Sequence, residues 1–468
     1  MIMSAAALAM IMFVKTEHRG AAAAAIVEGQ RAASNLAKLH VLLEPCFARV
    51  EPFVQAGKYM KALIGDVPRK NGWQISEYVG DATPDRTQRL LNHAAWDHEH
   101  AMGLVRGAAV DEFADLPLRV AAFDESGQEK TGDATAGAKR QYMGCAGRIA
   151  NGVNIVYCSY ATRIGHCLVD GRIYLPKDQL DDPGRRRALG IPDDVVFKTK
   201  PDLAIDITTD MLADATMPGW AAGDEVYGRC GKLRSHFEHN DIGYVLRVGK
   251  AFHVELAKGL KLRADEAVNK YLTARRCWRI DGVAGSKGQR RYTWAWLATR
   301  SPRHFLLIRK HLRTGELAYH YCYIPPEEPI SMATLIAVAC LRWPVEEDFE
   351  FGKDYFGLDH SQVRLYTALA RHIVLTMAAL TVCAVTAAQA KKNAPPPVLP
   401  TSPDEDPPDD IGLIAFTVNE IRRVFNLLHR QTHHVAHHLH WSRWRRRHQA
   451  RARWFHHRTR LRRQDATR

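Results

Sequence analysis

A chain that carries residues 365–388 must build a core large enough to surround a helix. The stretch is strongly apolar from Leu365 to Ala388, so it has to be buried, and we read it as the element that closes the core. With 468 residues the chain has room for that core and for two or three domains around it. A membrane span is not expected, because no apolar run approaches the roughly 20 residues that a span needs.

Just upstream lies Leu341-Arg342-Trp343-Pro344-Val345-Glu346-Glu347-Asp348-Phe349-Glu350-Phe351-Gly352-Lys353. Pro344 suits a first helical position, where its fixed φ and missing N–H cost nothing. Glu346 then falls in the first turn, and Glu346, Glu350 and Lys353 share one helical face. A carboxylate with a lysine two turns along can hold a divalent metal and steady a phosphate beside it. The plain alternative is that acidic residues in a first turn answer the helix dipole.

The formal net charge is +14, which points to a polyanionic partner without choosing between nucleic acid and a membrane surface. Nine cysteines form no Cys-x-x-Cys pair, so we read them as buried free thiols of a reducing compartment and expect a cytoplasmic protein. The apolar opening, residues 1–14, lacks a basic n-region, and residues 1–35 read as a disordered or loosely helical leader.

Residues 36–115 have helical periodicity and make either a DNA-binding bundle or a helical cap on a larger core. Asp97 is placed to cap a helix that continues through Met102 and Val105. The period changes at Leu118. Residues 118–123 read as a strand ending in the turn Asp124-Glu125-Ser126-Gly127, and residues 217–223 as a strand ending at Asp224. Aspartates at strand ends are common turn chemistry. In open α/β sheets the same end is where sites form. Residues 116–249 therefore read as the first part of a catalytic core, 250–329 as a β-rich insertion, and 330–390 as the helices that complete the core. The proline-rich, acidic stretch 391–410 reads as a stiff linker. Residues 411–468 form a helix and an arginine-rich tail. From Ser442 onward there are eleven arginines and one acid, with Trp444, Trp454 and Phe455 among them. Such a tail is either a nucleic-acid arm or a merely solvated basic end.

Taken together, Asp124, Asp224 and Glu346 are three carboxylates far apart in sequence that converge if both aspartates sit at one sheet edge. Such a set suits a pair of divalent ions acting on a phosphodiester. At this point the chain resembles the DDE transposases of bacterial insertion sequences, within the ribonuclease-H-like superfamily, and most specifically the group numbered 701, allied to the fourth insertion-sequence family. The matching stretches are Lys70-Asn71-Gly72-Trp73-Gln74, Gly80-Asp81-Ala82-Thr83-Pro84, Phe123-Asp124-Glu125-Ser126-Gly127, Arg140-Gln141-Tyr142, Gly223-Asp224-Glu225-Val226-Tyr227-Gly228, Arg342-Trp343-Pro344-Val345-Glu346-Glu347 and Gly357-Leu358-Asp359-His360-Ser361-Gln362-Val363-Arg364. Arg342, Glu346 and Lys353 keep the spacing of the wider family's third-acid signature, while Ala339 stands where that signature has tyrosine.

The resemblance, which covers roughly residues 45–468, implies an α/β fold: a ribonuclease-H-like mixed sheet flanked by helices, with a β-rich insertion, an N-terminal helical region and a basic C-terminal tail. It implies a magnesium-dependent transposase/endonuclease in which Asp124, Asp224 and Glu346 ligate Mg²⁺, with Mn²⁺ as a substitute, and Arg342 and Lys353 neutralise phosphates. Glu350 is a lesser candidate, either a surface carboxylate or one that supports the ligands from behind. The implied partner is double-stranded DNA, both element ends and target, bound by a homodimer at the nucleoid, with no membrane. Two competing readings are a domesticated DDE endonuclease without transposition and a non-catalytic DNA-binding protein.

Overall fold

The computed structural model describes residues 18–256, 259–285, 288–396, 398–400, 402, 405–408 and 411–465. Among the described residues five α-helices come first: α1 (Arg19–Leu42), α2 (Val50–Ile64), α3 (Gly72–Tyr78), α4 (Asp85–Asn92) and α5 (His98–Phe113). Asp97 caps α5 by accepting from the backbone N–H groups of Glu99 and His100, the role its position predicts. Residues 1–17 of the expected leader lie outside the described residues. From Arg19 onward the leader is replaced by the 24-residue helix α1. Its Ile26, Ala32 and Leu39 are buried, and Gly29 lies so close to Val424 and Leu428 that a Cβ there would meet both side chains. Tertiary packing, invisible to local periodicity, decides this element.

The sheet begins with β1 (Val120–Glu129), β2 (Lys139–Met143), β3 (Arg148–Ala161) and β4 (His166–Ile173). After the short helices α6 (Lys177–Asp181) and α7 (Pro183–Ala188) come α8 (Lys200–Ala213), β5 (Trp220–Gly223), α9 (Glu225–Gly228), α10 (Gly231–His239) and β6 (Gly243–Val248). Strand β1 is antiparallel to β3 and parallel to β5, which in turn is parallel to β6. Both β2 and β4 pair with β3, so the order across this part is β4-β3-β1-β5-β6. That is the ribonuclease-H-like mixed sheet.

The chain then adds a small hairpin, β7 (His253–Glu255) with β8 (Lys261–Arg263), the helix α11 (Ala264–Tyr271), and four strands: β9 (Arg279–Gly285), β10 (Gly288–Ala298), β11 (His304–His311) and β12 (Leu317–Tyr323). These four do not form a separate body. Strand β12 pairs antiparallel with β6, and β11, β10 and β9 follow, so the sheet runs on to ten strands. An edge strand with unpaired N–H and C=O groups recruits a neighbour. Here the segment expected as an insertion supplies it.

Three helices complete the core: α12 (Met332–Leu341), α13 (Pro344–Asp354) and α14 (Tyr366–Lys392). Among the described residues, α14 alone is long and apolar enough to cross a membrane, which the sequence reading did not allow for; 78% of its most apolar window is buried inside the protein. It is the hub of the helical layer, packed against α1, α2, α4, α5 and β4. One continuous apolar cluster joins Tyr59 and Val105 of the amino-terminal helices to Phe123 of β1 and Leu375 of α14.

The carboxyl end departs from the expected tail. After α15 (Val418–His429), residues 435–465 form a single 31-residue helix, α16. Arginine and alanine are strong helix formers, so a basic block of this kind keeps helical geometry once one end is anchored. The anchor is Trp441, fully buried, whose indole N–H donates to the Asp81 carbonyl at 2.9 Å. His433, His437 and His440 each place a ring nitrogen against a carbonyl, those of Tyr78, Glu77 and Ala82, and Arg445 pairs with Glu77. Trp441→Ala should weaken this docking by about 3–5 kcal/mol, the usual loss for a buried large aromatic. Hydrogen exchange is expected to quicken in the first turns of α16 while β1 and β6 stay protected. Unchanged exchange in α16 would mean that Trp441 is not the anchor.

Candidate active site

Sequence places Asp124 at a strand end, but β1 continues five residues further, to Glu129. The reason is the long partner β3, which pairs with every residue of β1 as far as Gly152 opposite Glu129. Gly127 permits it: a Cβ there would come within 2.4 Å of the Met143 methyl. On its other side, β1 loses its partner at the right place. The last parallel pair is Phe123 opposite Gly223, so Asp124 and Asp224 are the next residues on adjacent strands, which run about 4.8 Å apart.

Asp224 is held by a second close approach. As the cap of α9 it accepts the Val226 N–H through Oδ1 at 2.9 Å. That short helix lies so flat on β6 that a Cβ at Gly228 would stand 1.9 Å from the Arg247 carbonyl oxygen. Only glycine fits, and the turn after Asp224 is fixed by it.

Glu346 lies in the first turn of α13, where Pro344 starts the helix. Arg342, just after α12, joins it to the aspartates. One guanidinium nitrogen, Nη2, is 2.6 Å from Asp124 Oδ2 and 3.6 Å from Glu346 Oε1. The two carboxylates can therefore stand no further apart than those two distances laid end to end. Asp124 Oδ1 also accepts the Glu125 N–H at 2.8 Å. Lys353, two turns along α13, is half-buried, and no hydrogen bond or ion pair ties it to the three acids among the described residues. Glu350 is exposed.

The acids repel one another in a poorly hydrated place. Burial pushes the Asp124 carboxyl up, the negative charges of Asp224 and Glu346 push it further, and Arg342 pulls it back, leaving it at about 7. Asp224 is raised too, first by burial and then by Glu125, against the pull of the Val226 N–H and Arg342. A site built in this way calls for positive charge.

Three carboxylates are the hard oxygen donors that divalent ions of the magnesium type accept. In donor chemistry the residues fit such an ion, and Arg342 is the cation that answers them here. Among the described residues, no three His, Cys, Asp or Glu side chains stand close enough to share one ion as they lie. Ligation of one ion by all three would therefore need their carboxylates to draw closer than they stand here.

Some neighbours were not singled out from sequence. Glu125 faces away from Asp124, since successive strand residues alternate faces, and pairs with Lys200 at 2.5 Å. His166 of β4 lies between Asp348, at 2.9 Å, and Glu347, at 3.4 Å. Burial works to lower its pKa, but the two carboxylates overcome it and push it up to about 10. The resulting imidazolium ties the first turn of α13 to β4. Acid pairs straight after Glu346 hinted at a buried cation, but nothing local identified His166 as that cation.

The raised Asp124 pKa carries a stability consequence. Its folded value, about 7, exceeds its ordinary 3.8, so the folded protein binds that proton more tightly than the unfolded chain. Ionisation then costs stability progressively from about pH 4 to pH 7, and in full above it, on the order of a few kcal/mol. Asp124→Asn is neutral throughout. It is expected to melt higher than the parent at pH 8, with the gap closing toward pH 4. A variant that melts lower at pH 8 would contradict the charge balance described.

Two family models match the chain in overlapping stretches. A DDE superfamily endonuclease model matches residues 42–258, and a transposase DDE domain model matches residues 202–382. The first stretch contains Asp124 and Asp224, the second Asp224 and Glu346. The chain is also similar to a probable transposase for insertion sequence element IS701 from Microchaete diplosiphon, 23% identical over 258 residues, 53% of this chain and 64% of that protein. The likeness thus spans less than two thirds of the relative's length.

Proposed function

We propose, from the premise that this chain belongs to the DDE superfamily of transposases and endonucleases, that it is the DNA transposase of an insertion sequence. In this reading it cuts the ends of its element by phosphodiester hydrolysis and joins the resulting 3′-hydroxyls to target DNA by transesterification. The observation that supports the reading is that the Arg342 guanidinium joins Asp124 to Glu346 where β1 and β5 part, with Asp224 the first residue after β5 on the adjacent strand. The family implies a divalent metal; we take it to be Mg²⁺, with Mn²⁺ as a substitute, held by those three acids. Such an ion supplies charge stabilisation at the scissile phosphate.

The protein's own groups do the rest. The Glu125 N–H and Arg342 fix the orientation of Asp124, and the Val226 N–H fixes Asp224. When Arg342 is released from the acids, its planar fork is well placed for a phosphate. Lys353 contributes a further positive charge from α13. The basic helix α16 and the amino-terminal helices hold double-stranded DNA, and two copies of the chain engage two element ends. A cytoplasmic, nucleoid-associated protein follows from that substrate.

The test is to incubate the purified protein and Mg²⁺ with a plasmid carrying the DNA that flanks its gene, together with a target plasmid. Cut ends and joined products are expected. Cutting without joining, with no inverted repeats in the flanking DNA, would instead identify a DDE endonuclease that has lost transposition. Binding without any cutting would leave only a DNA-binding protein.

A further inference from the structure

Glu346 is the least secured of the three acids. Asp124 and Asp224 each accept a neighbouring backbone N–H, whereas the Glu346 carboxylate stands 3.6 Å from Arg342, beyond hydrogen-bond length. Its helix starts at Pro344 without a side-chain cap. Side chains reach about 5–6 Å from a helix axis, so a roll of about 20° in α13 would carry that carboxylate by about 2 Å. A metal–oxygen bond of the magnesium type is itself only about 2 Å long. Whatever sets the roll of α13 therefore decides whether Glu346 can serve the site.

Three observations single out His166. First, the ring spends both its nitrogens on α13: Nδ1 is 2.9 Å from Asp348 and Nε2 is 3.4 Å from Glu347. Two carboxylate acceptors call for two N–H donors, which only the imidazolium has. The same ring stacks on Phe351, with centroids 6.3 Å apart and planes 13° from parallel. Second, Asp348 is closed from its other side. The Ser159 hydroxyl of β3 donates to Oδ2 at 2.5 Å, while His166 takes Oδ1. Asp348 is 1% exposed and lies about 200° around the helix from Glu346. The sheet side of α13 is thus held by directional bonds from two strands, and Glu346 is left on the opposite side. Third, β4 is bent to bring His166 there. Cys158 pairs with Asp170 but Ser159 with Leu168, which leaves Val169 as an extra residue in β4. Bulges of this kind re-aim side chains beside active sites. Because of it His166 shares a face with Ser159 and with Tyr157, which packs on Phe349 of α13. Asp170 points the other way, to Arg106.

We propose that His166 is a positioning residue for the reaction: by holding Glu347 and Asp348 it sets the roll of α13, and so the place of the Glu346 carboxylate beside Asp124. Val345 and Phe349 bury the helix, but apolar packing is non-directional and leaves the roll free. This assignment rests on the three acids being the cation site read above.

To test it, Mn²⁺ is titrated into the full-length protein bound to a duplex of the DNA that flanks its gene, and free ion is read from its paramagnetic resonance signal. Glu346→Gln is expected to weaken Mn²⁺ binding. His166→Ala is expected to weaken it by roughly tenfold or more, the usual loss when the support of a metal ligand is removed. An unpaired buried Asp348 can unfold the helix, so His166→Leu with Asp348→Leu is measured alongside. Apolar packing in place of a buried ion pair keeps such a site folded, but gives the helix no direction, and the same loss is expected. Each variant is also made with Glu346→Gln. Since His166 acts through Glu346, its removal there should weaken Mn²⁺ binding less than twofold further. Binding unchanged in both His166 variants, or losses that add in full to that of Glu346→Gln, would overturn the proposal and leave His166 as a structural ion pair. Cleavage is read on the same samples. A parent that binds Mn²⁺ through Glu346 but cuts nothing removes the transposase reading and leaves the His166 result standing. A parent that cuts while its His166 variants bind Mn²⁺ as tightly removes the positioning role alone. A parent whose Mn²⁺ binding ignores Glu346→Gln removes both.

Discussion

Asp124→Asn is expected to lower strand cleavage by roughly a thousandfold or more while DNA affinity changes little. The substitution keeps the side chain's shape and one oxygen, but removes the charge that the Asp224 and Glu346 carboxylates need beside them if they are to hold a cation. It also releases Arg342, whose 2.6 Å partner is Asp124 Oδ2. In the function proposed above, binding is carried elsewhere, by α16 and the amino-terminal helices. A gel-shift and a nicking assay on the same preparation separate the two effects. Parallel loss of binding and cutting would show that the acids hold DNA and not the reacting phosphate. The higher melting temperature expected of this variant at pH 8 guards against misfolding as the explanation.

Truncation after Arg445 is expected to weaken DNA binding broadly and to flatten its salt dependence. The cut leaves Trp441 in its socket and Arg445 on Glu77. It removes nine of the eleven arginines that follow Ser442. Duplex affinity falls with salt at a slope of about −0.9 per phosphate contact, so four or five engaged arginines correspond to roughly four units of slope. Not all nine are free for phosphate: Arg458 lies over both Trp454 and Phe455, at 4.9 and 4.6 Å. Sequence preference should survive, since phosphate contacts position and base contacts specify. Titrations of both forms at several salt concentrations measure this. Equal slopes would leave the helix with no part in DNA contact.

Local chemistry carried much of the reading from sequence. The cap at Asp97 and the helix start at Pro344 both lie where residue type and period put them. What escaped depends on partners distant in the chain. Asp124 reads as the start of a turn until β3 is seen to extend β1 past it. Residues 250–329 read as a β-rich insertion, and nothing local shows that their strand β12 will pair with β6 and lengthen the sheet. The arginine-rich end has no amphipathic stripe, and its helix is anchored by contacts to residues distant in the chain, Trp441 on Asp81 with His437, His440 and Arg445 beside it. At the site, residue type picked out the three acids, and the spacing of the third-acid signature picked out Arg342. Sequence had no means of showing that Arg342 lies between two of those acids, or that Lys353 does not touch them.

The central claim is that Asp124, Asp224 and Glu346 form one cation site at which a phosphodiester is cut. It is tested most directly by diffraction from crystals of the protein with a cut DNA end, grown with Mn²⁺ and recorded at the manganese edge. An anomalous peak is expected where β1 and β5 part, with carboxylate oxygens of all three residues at roughly 2.0–2.3 Å and Arg342 turned away toward phosphate. A peak elsewhere, or one that Asp224 or Glu346 does not reach, would contradict it.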